Sequence, residues 1–288
     1  MIAVFRHELS MYYHSMTAYV FGAFLLAFTG IGSLIYNINS SYANFEYVLA
    51  FIEMIFIVLV PIITMRIISE ERKQKTDQLL YALPISATDI VVGKFLALMV
   101  VYAIPVLIMC IYPALFSRFG DVYLPTSYGS LLAFFLLGLA LMSIGMFVSS
   151  LTESQGMAAG ICVVVMLVCY FSSSLADYVS STAAGSLIAI IVILVIIGMI
   201  IRHLTQSLFA GCIFSGICLI GIVIAYFANS SMLEGLLPSI MDQLSFFTRF
   251  HTFVNGVFDI TALVYYVSVI VFFLFLCVQS LEKRRYNG

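Results

Sequence analysis

Long apolar runs constrain this chain more than any other feature. Eight runs each come close to, or exceed, the roughly 20 residues that a helix needs to cross a bilayer. Lipid offers backbone groups no hydrogen-bond partner, so each run is predicted to be helical. With 63% hydrophobic and 9% charged residues the chain cannot cover a water-facing surface, which excludes a soluble enzyme. The runs cover residues 16–36, 46–68, 91–116, 128–151, 156–178, 184–202, 207–228 and 261–281.

The predicted fold is all-α, a polytopic transmembrane helix bundle in which residues 1–288 form a single domain. Only Arg202 to Gln206 separates the runs 184–202 and 207–228, so this pair is the least certain of the eight predicted spans. Lysine and arginine favour cytoplasmic loops, and their distribution places both termini in the cytoplasm. The predicted cytoplasmic set is Arg6, Arg66, Arg72, Lys73, Lys75, Lys94, Arg202, Lys283, Arg284 and Arg285, against Arg118 and Arg249 outside.

Two amphipathic segments are predicted to lie along the membrane surface rather than across it. Residues 1–15 carry apolar side chains at helical spacing, which favours an interfacial helix over a frayed extension of the first span. Residues 229–259 show the same spacing, interrupted by charges, and are predicted to form an extracellular re-entrant or interfacial hairpin. Pro238 and Gly256 are predicted to supply its breaks.

The connection over residues 70–90 is the longest on the predicted cytoplasmic side. Its charged first half is expected to continue the preceding helix out of the membrane. Leu79, Leu80 and Leu83 then give one apolar edge, and Pro84 ends the helix because it cannot donate a backbone hydrogen bond. Ser86 suits the N-cap of the next span. An ordinary solvated loop would not need this apolar edge, so we interpret the segment as a short helix that docks a partner.

This connection resembles the signature loop of ABC-2-type transporter permeases. The C-terminal stretches 255–259, 264–266 and 281–285 resemble the gliding-motility-associated branch of that family. The residues that carry the loop resemblance are Glu70, Glu71, Arg72, Thr76, Leu79, Leu80, Leu83, Pro84, Ile85, Ser86, Gly93, Lys94 and Phe95.

The resemblance implies a permease subunit of an ATP-driven exporter in the bacterial inner membrane. Many permeases of this family have six spans, so six is the alternative to the eight predicted here, and the difference concerns residues 184–228. Its implied partners are cytoplasmic ABC ATPase subunits, a second permease that is identical or different, and an auxiliary membrane protein with an external domain. Residues 1–15 would be the elbow helix of the family. A net charge of −2 argues against binding nucleic acid. The residues implied to couple to the ATPase are Glu70, Glu71, Thr76, Leu79, Leu80, Leu83 and Pro84.

The chain is not expected to be an enzyme. Gly93-Lys94 is followed by Phe95, and Thr88 stands where a phosphate-binding loop requires its first glycine. ATP and magnesium would therefore bind to the partner ATPase, and this chain is expected to hold no cofactor. No catalytic motif is predicted, and the six cysteines lie in apolar runs without the spacing of a metal site.

A substrate path is predicted only weakly, at Glu53, Ser172 and Asp177. An ion-coupled secondary transporter is a competing hypothesis, disfavoured because neither Glu53 nor Asp177 has an evident charged partner in the sequence. A second alternative is a scaffold that uses the ATPase to act on an extracellular partner without transport. The substrate class stays open among peptide, drug, glycan precursor and lipid.

Overall fold

The computed structural model describes residues 1–75, 85–178 and 236–287, which form helices and connecting turns without a strand. The predicted all-α transmembrane bundle is confirmed. The predicted spans 184–202 and 207–228 lie outside the described residues. Six described helical segments are long and apolar enough to cross a membrane: Met16–Asn39, Glu46–Gln74, Ala87–Phe116, Leu124–Leu151, Gln155–Ser172 and Ile260–Arg285.

Twelve described helices make up these spans and the segments beside them. The first five are α1 (Ile2–His14), α2 (Met16–Ser33), α3 (Glu46–Ile52), α4 (Phe56–Thr64) and α5 (Ser69–Gln74). A π-helical turn (Leu34–Asn39) continues α2, and a 3₁₀ turn (Glu53–Ile55) joins α3 to α4. The other seven are α6 (Ala87–Met109), α7 (Ile111–Phe116), α8 (Leu124–Leu151), α9 (Gln155–Tyr178), α10 (Leu236–Leu244), α11 (Phe246–Val254) and α12 (Ile260–Asn287).

The chain divides into two compact units, residues 1–170 with 246–288 and residues 171–245. Helix α8 is central to the first unit, where it packs against α12, α11, α4 and α6. Glycine lets two neighbours approach α8 closely. A Cβ atom at Gly138 would lie 2.5 Å from the Tyr102 hydroxyl oxygen, and one at Gly145 would clash with Thr64 Oγ1.

Both chain termini lie at one end of the first unit, which we call the terminal end. The Met1 amino group lies 3.6 Å from Asp89 at the start of α6. At the other terminus, Arg285 Nη1 donates to the Ile85 carbonyl at 3.3 Å. Chain continuity places residues 40–45 and 117–123 at the opposite end of the bundle.

The second span is interrupted twice, whereas the sequence predicts one helix that runs out of the membrane. The 3₁₀ turn at Glu53–Ile55 is the first break, and a turn between Thr64 and Ser69 is the second. Ser149 on α8 stabilises the second break, since its hydroxyl oxygen accepts from the Ile68 and Ser69 amides at 3.3 Å each. Helix α5 is therefore a separate element. The second span does continue to Gln74, as predicted, but through a turn rather than as one unbroken helix.

Most of the other predicted helix boundaries agree with the structure. Ser86 is the N-cap of α6 and its hydroxyl accepts from the Asp89 amide at 3.1 Å, as predicted. The predicted N-terminal helix is present as α1. Gly256 ends α11 with a positive φ of 84°, which glycine adopts without strain. Pro238, in contrast, lies inside the first turn of α10 and does not break it.

Candidate functional site

A buried ionic cluster at the terminal end joins three helices. The Lys94 ammonium on α6 lies 2.6 Å from a Glu8 carboxylate oxygen on α1 and 2.7 Å from one of Glu71 on α5. It also donates to the Ile67 carbonyl at 3.1 Å. The three donor positions of the ammonium are thereby satisfied, which allows the Lys94 side chain to be only 2% exposed.

The cluster holds one cation for two carboxylates. The phenol of Tyr12 lies close to these carboxylates. Burial, together with the carboxylates of Glu8, Glu70 and Glu71, raises the pKa of Tyr12 far above its ordinary value. Tyr12 is therefore neutral and remains a hydrogen-bond donor at physiological pH.

The Glu8–Lys94–Glu71 cluster spans both flanks of the connection 76–84. Glu71 precedes that connection on α5, and Lys94 follows it in the third turn of α6. Helix α1 also packs tightly on α6, because a Cβ at Gly93 would meet Val4 side-chain atoms at 3.2 Å. A force on the connection would therefore reach α1 and two spans through short, buried contacts.

A cavity of about 790 Å³ opens beside this cluster. Helix α1 forms one wall with Met11 and Tyr12, and the inner part of the second span forms another with Arg66 and Glu70. Lys94 is also part of its lining. A recess with an apolar lining and a few convergent polar groups is the usual form of a site that accepts another molecule.

The residues predicted to couple to an ATPase are only partly described. Glu71 belongs to the ionic cluster, and Glu70 lies on the same helix, with its carboxylate oxygen 3.5 Å from Gln74 Nε2. The remaining five lie outside the described residues: Thr76, Leu79, Leu80, Leu83 and Pro84.

At the opposite end, Glu53 has a charged partner that the sequence reasoning did not find. His251 Nε2 on α11 lies 2.9 Å from Glu53 Oε1, so the interpretation of Glu53 as lacking a partner is wrong. The hydrogen bond to Glu53 raises the pKa of His251, although partial burial opposes the shift. The two residues are 198 positions apart, so spacing along the chain carries no sign of their contact.

The other two residues of the predicted substrate path lie on α9. Ser172 is partly exposed, and Asp177 is in the last turn with its side chain outside the described part of the chain. Sequence reasoning missed Glu8, Lys94 and His251 as members of ionic contacts. The available signal was a charge within an apolar pattern, because such a charge needs a partner when it is buried.

The helical bundle and the six apolar spans found among the described residues define a polytopic integral membrane protein. A family model described as ABC-2 family transporter protein matches residues 10–186, more than half of the chain. The chain belongs to this family and is a permease subunit of an ABC transporter, which is the non-catalytic membrane component. No curated protein and no solved structure matches the chain.

Proposed function

We propose that this permease couples ATP hydrolysis by a separate cytoplasmic ATPase to the export of a substrate. The observation that carries the proposal is the Glu8–Lys94–Glu71 cluster, which ties both flanks of the connection 76–84 to α1. Closure of two ATPase subunits would push on that connection. The buried ion pairs would pass the displacement to the spans, since packed elements move between discrete arrangements.

The terminal end would be the cytoplasmic face. Basic residues are concentrated there, and the positive-inside rule assigns such an end to the cytoplasm. Both termini would then be cytoplasmic, and the membrane would be a bacterial inner membrane. The basic residues of the described part at this end are Arg6, Arg66, Arg72, Lys73, Lys75, Lys94, Lys283, Arg284 and Arg285; Arg118 and Arg249 lie at the other.

The ATPase would dock on the apolar edge formed by Leu79, Leu80 and Leu83. The cavity between α1 and the second span lies beside the start of this connection and would receive a partner side chain. Glu70 and Glu71 would fix the start of the docking helix, Thr76 would lie in it, and Pro84 would end it. A second permease, identical or different, would complete the membrane pore.

Two finer predictions belong to the same proposal. The segments that resemble the gliding-motility-associated branch lie beyond residues 10–186, so membership of that branch rests on the sequence resemblance alone. Membership of that branch would imply a further partner, an auxiliary membrane protein with an external domain. Glu53, Ser172 and Asp177 stay a prediction for the substrate path.

The docking edge is tested by replacing Leu79 and Leu80 together with Asp. The charged side chains should prevent burial against the ATPase, so the amount of ATPase that co-purifies per permease should fall at least about tenfold. Phe119→Asp is the matched control, because Phe119 is an exposed apolar residue (87%) at the opposite end. Retention of a coupled ATPase by the Leu79→Asp/Leu80→Asp variant would refute the docking edge.

Transport is separated from force transmission by a second comparison. Cells carrying the wild-type permease are compared with cells whose partner ATPase has lost its phosphate-binding lysine. An exporter predicts a compound that accumulates outside the membrane only when the ATPase is intact. If the medium and the membrane have the same composition in the two kinds of cells, the result supports the scaffold hypothesis instead of export.

A further inference from the structure

The contact between Glu53 and His251 joins two elements that come from distant parts of the chain. Glu53 begins the 3₁₀ turn that interrupts the second span, and His251 lies on the surface helix α11. Their side chains differ sharply in exposure. The Glu53 side chain is 4% exposed, whereas that of His251 is 48% exposed.

The charge state of His251 decides how favourable this contact is. Glu53 Oε1 is paired with His251, while Glu53 Oε2 is buried and has no hydrogen-bond partner in the described part of the chain. When one oxygen of a buried carboxylate has no hydrogen bond, the stability of its charged form depends strongly on the cation at the other oxygen. Loss of the imidazolium charge would leave that carboxylate without a counter-charge.

The other charged and titratable groups near this contact have partners of their own. On α3, Glu46 accepts from Ser127 of α8 at 2.9 Å. On α11, the Arg249 guanidinium lies 4.4 Å from the centre of the Tyr265 ring of α12. Tyr170 of α9 and Tyr266 of α12 also face Glu53. Histidine is therefore the group here that titrates near neutrality.

We propose that Glu53 and His251 form a proton-operated latch that holds α11 against the second span. The latch is closed while His251 is protonated, and it loosens when the compartment at the opposite end becomes alkaline. This inference concerns the permease alone and goes beyond coupling to an ATPase.

The direction of the pH effect follows from the raised pKa of His251. A group with a raised folded-state pKa stabilises the folded arrangement fully at low pH, and that stabilisation is lost as the pH rises through the raised value. Two neutral anchors would keep α11 in place after that loss. Ser130 Oγ donates to the Phe253 carbonyl at 3.0 Å, and the Tyr266 hydroxyl donates to the Phe246 carbonyl at 2.8 Å. Alkalinity should therefore loosen α11 without releasing it.

Hydrogen exchange of the full-length permease in lipid nanodiscs tests the latch. The backbone amides of residues 246–254 are compared between wild type and Glu53→Gln at the same pH, which cancels the intrinsic effect of pH on exchange. At about pH 6.5 the wild type should be protected about tenfold more than the variant. At about pH 9 the wild type should have lost this advantage and should exchange at least as fast as the variant, because its Glu53 carboxylate then has no counter-charge. His251→Gln provides the same comparison from the other side of the contact.

His251→Arg distinguishes a charge-dependent latch from a structural contact. Arginine keeps its charge at all accessible pH values, so this variant should retain full protection at about pH 9. Equal wild-type protection at both pH values would overturn the proposal. So would loss of protection by His251→Arg at high pH, because the responsible group would then be another residue, such as Tyr170 or Tyr266.

Discussion

Replacement of Lys94 by methionine is expected to destabilise the folded permease by about 3–5 kcal/mol. The buried Glu8 carboxylate and the partly buried Glu71 carboxylate would lose the ammonium that lies 2.6 and 2.7 Å from them. In detergent, the midpoint of thermal unfolding should fall by about 10 °C. Lys73→Met is the matched control, because Lys73 lies on the exposed side of α5 and its replacement should change the midpoint little.

A triple replacement separates charge from packing at this site. Glu8→Gln and Glu71→Gln, combined with Lys94→Met, remove the two carboxylates that Lys94 pairs with and should recover most of the lost stability. If Lys94→Met is as stable as Lys73→Met, the cluster does not hold the three helices together. If the triple variant is no more stable than Lys94→Met, the loss comes from packing and not from buried charge.

Gly138→Ala should have the second largest effect on stability. The added Cβ would lie 2.5 Å from the Tyr102 hydroxyl oxygen and 2.6 Å from two of its ring carbons. Tyr102 cannot easily move aside, since it is fully buried, stacks on Phe135 at 5.3 Å and donates to the Phe134 carbonyl at 2.9 Å. We expect a loss of about 1–3 kcal/mol from overpacking.

Gly22→Ala is the control for that substitution. A Cβ at Gly22 on α2 would have no neighbour within 4 Å, so the change should be neutral or stabilise by about 0.5–1 kcal/mol through helix propensity. Thermal unfolding of the two variants in the same detergent gives the comparison. Equal midpoints would mean that α6 and α8 do not approach as closely as described.

The bundle is predictable from sequence because lipid removes most alternatives. A long apolar run has to be helical, and Ser86 marks the start of α6 by a local hydrogen bond to a residue three positions away. Breaks inside a span are harder to predict. The turn before α5 depends on Ser149, which is 80 residues from Ser69 and leaves no trace in the local pattern.

The ionic contacts are only half predictable. Lys94 in an apolar run and Glu53 in another indicate that each needs a partner, because isolated buried charge is very unfavourable. The identity of the partner depends on the tertiary fold, since Glu8 lies 86 residues from Lys94. The signature loop includes both Glu71 and Lys94, but the motif does not indicate that these two residues form an ion pair.

We propose that an ATPase acts on this permease through the connection 76–84. Site-specific photo-crosslinking in intact cells tests it most directly, with a photoreactive residue at position 80 and, as the control, at Val257, which is exposed beyond α11. If an ATPase docks on the connection 76–84, position 80 should cross-link to a protein with a G-x-x-x-x-G-K-[ST] motif, and position 257 should not. Cross-linking of that ATPase to position 257, or its absence from the cross-linked products of position 80, would contradict docking on the connection 76–84.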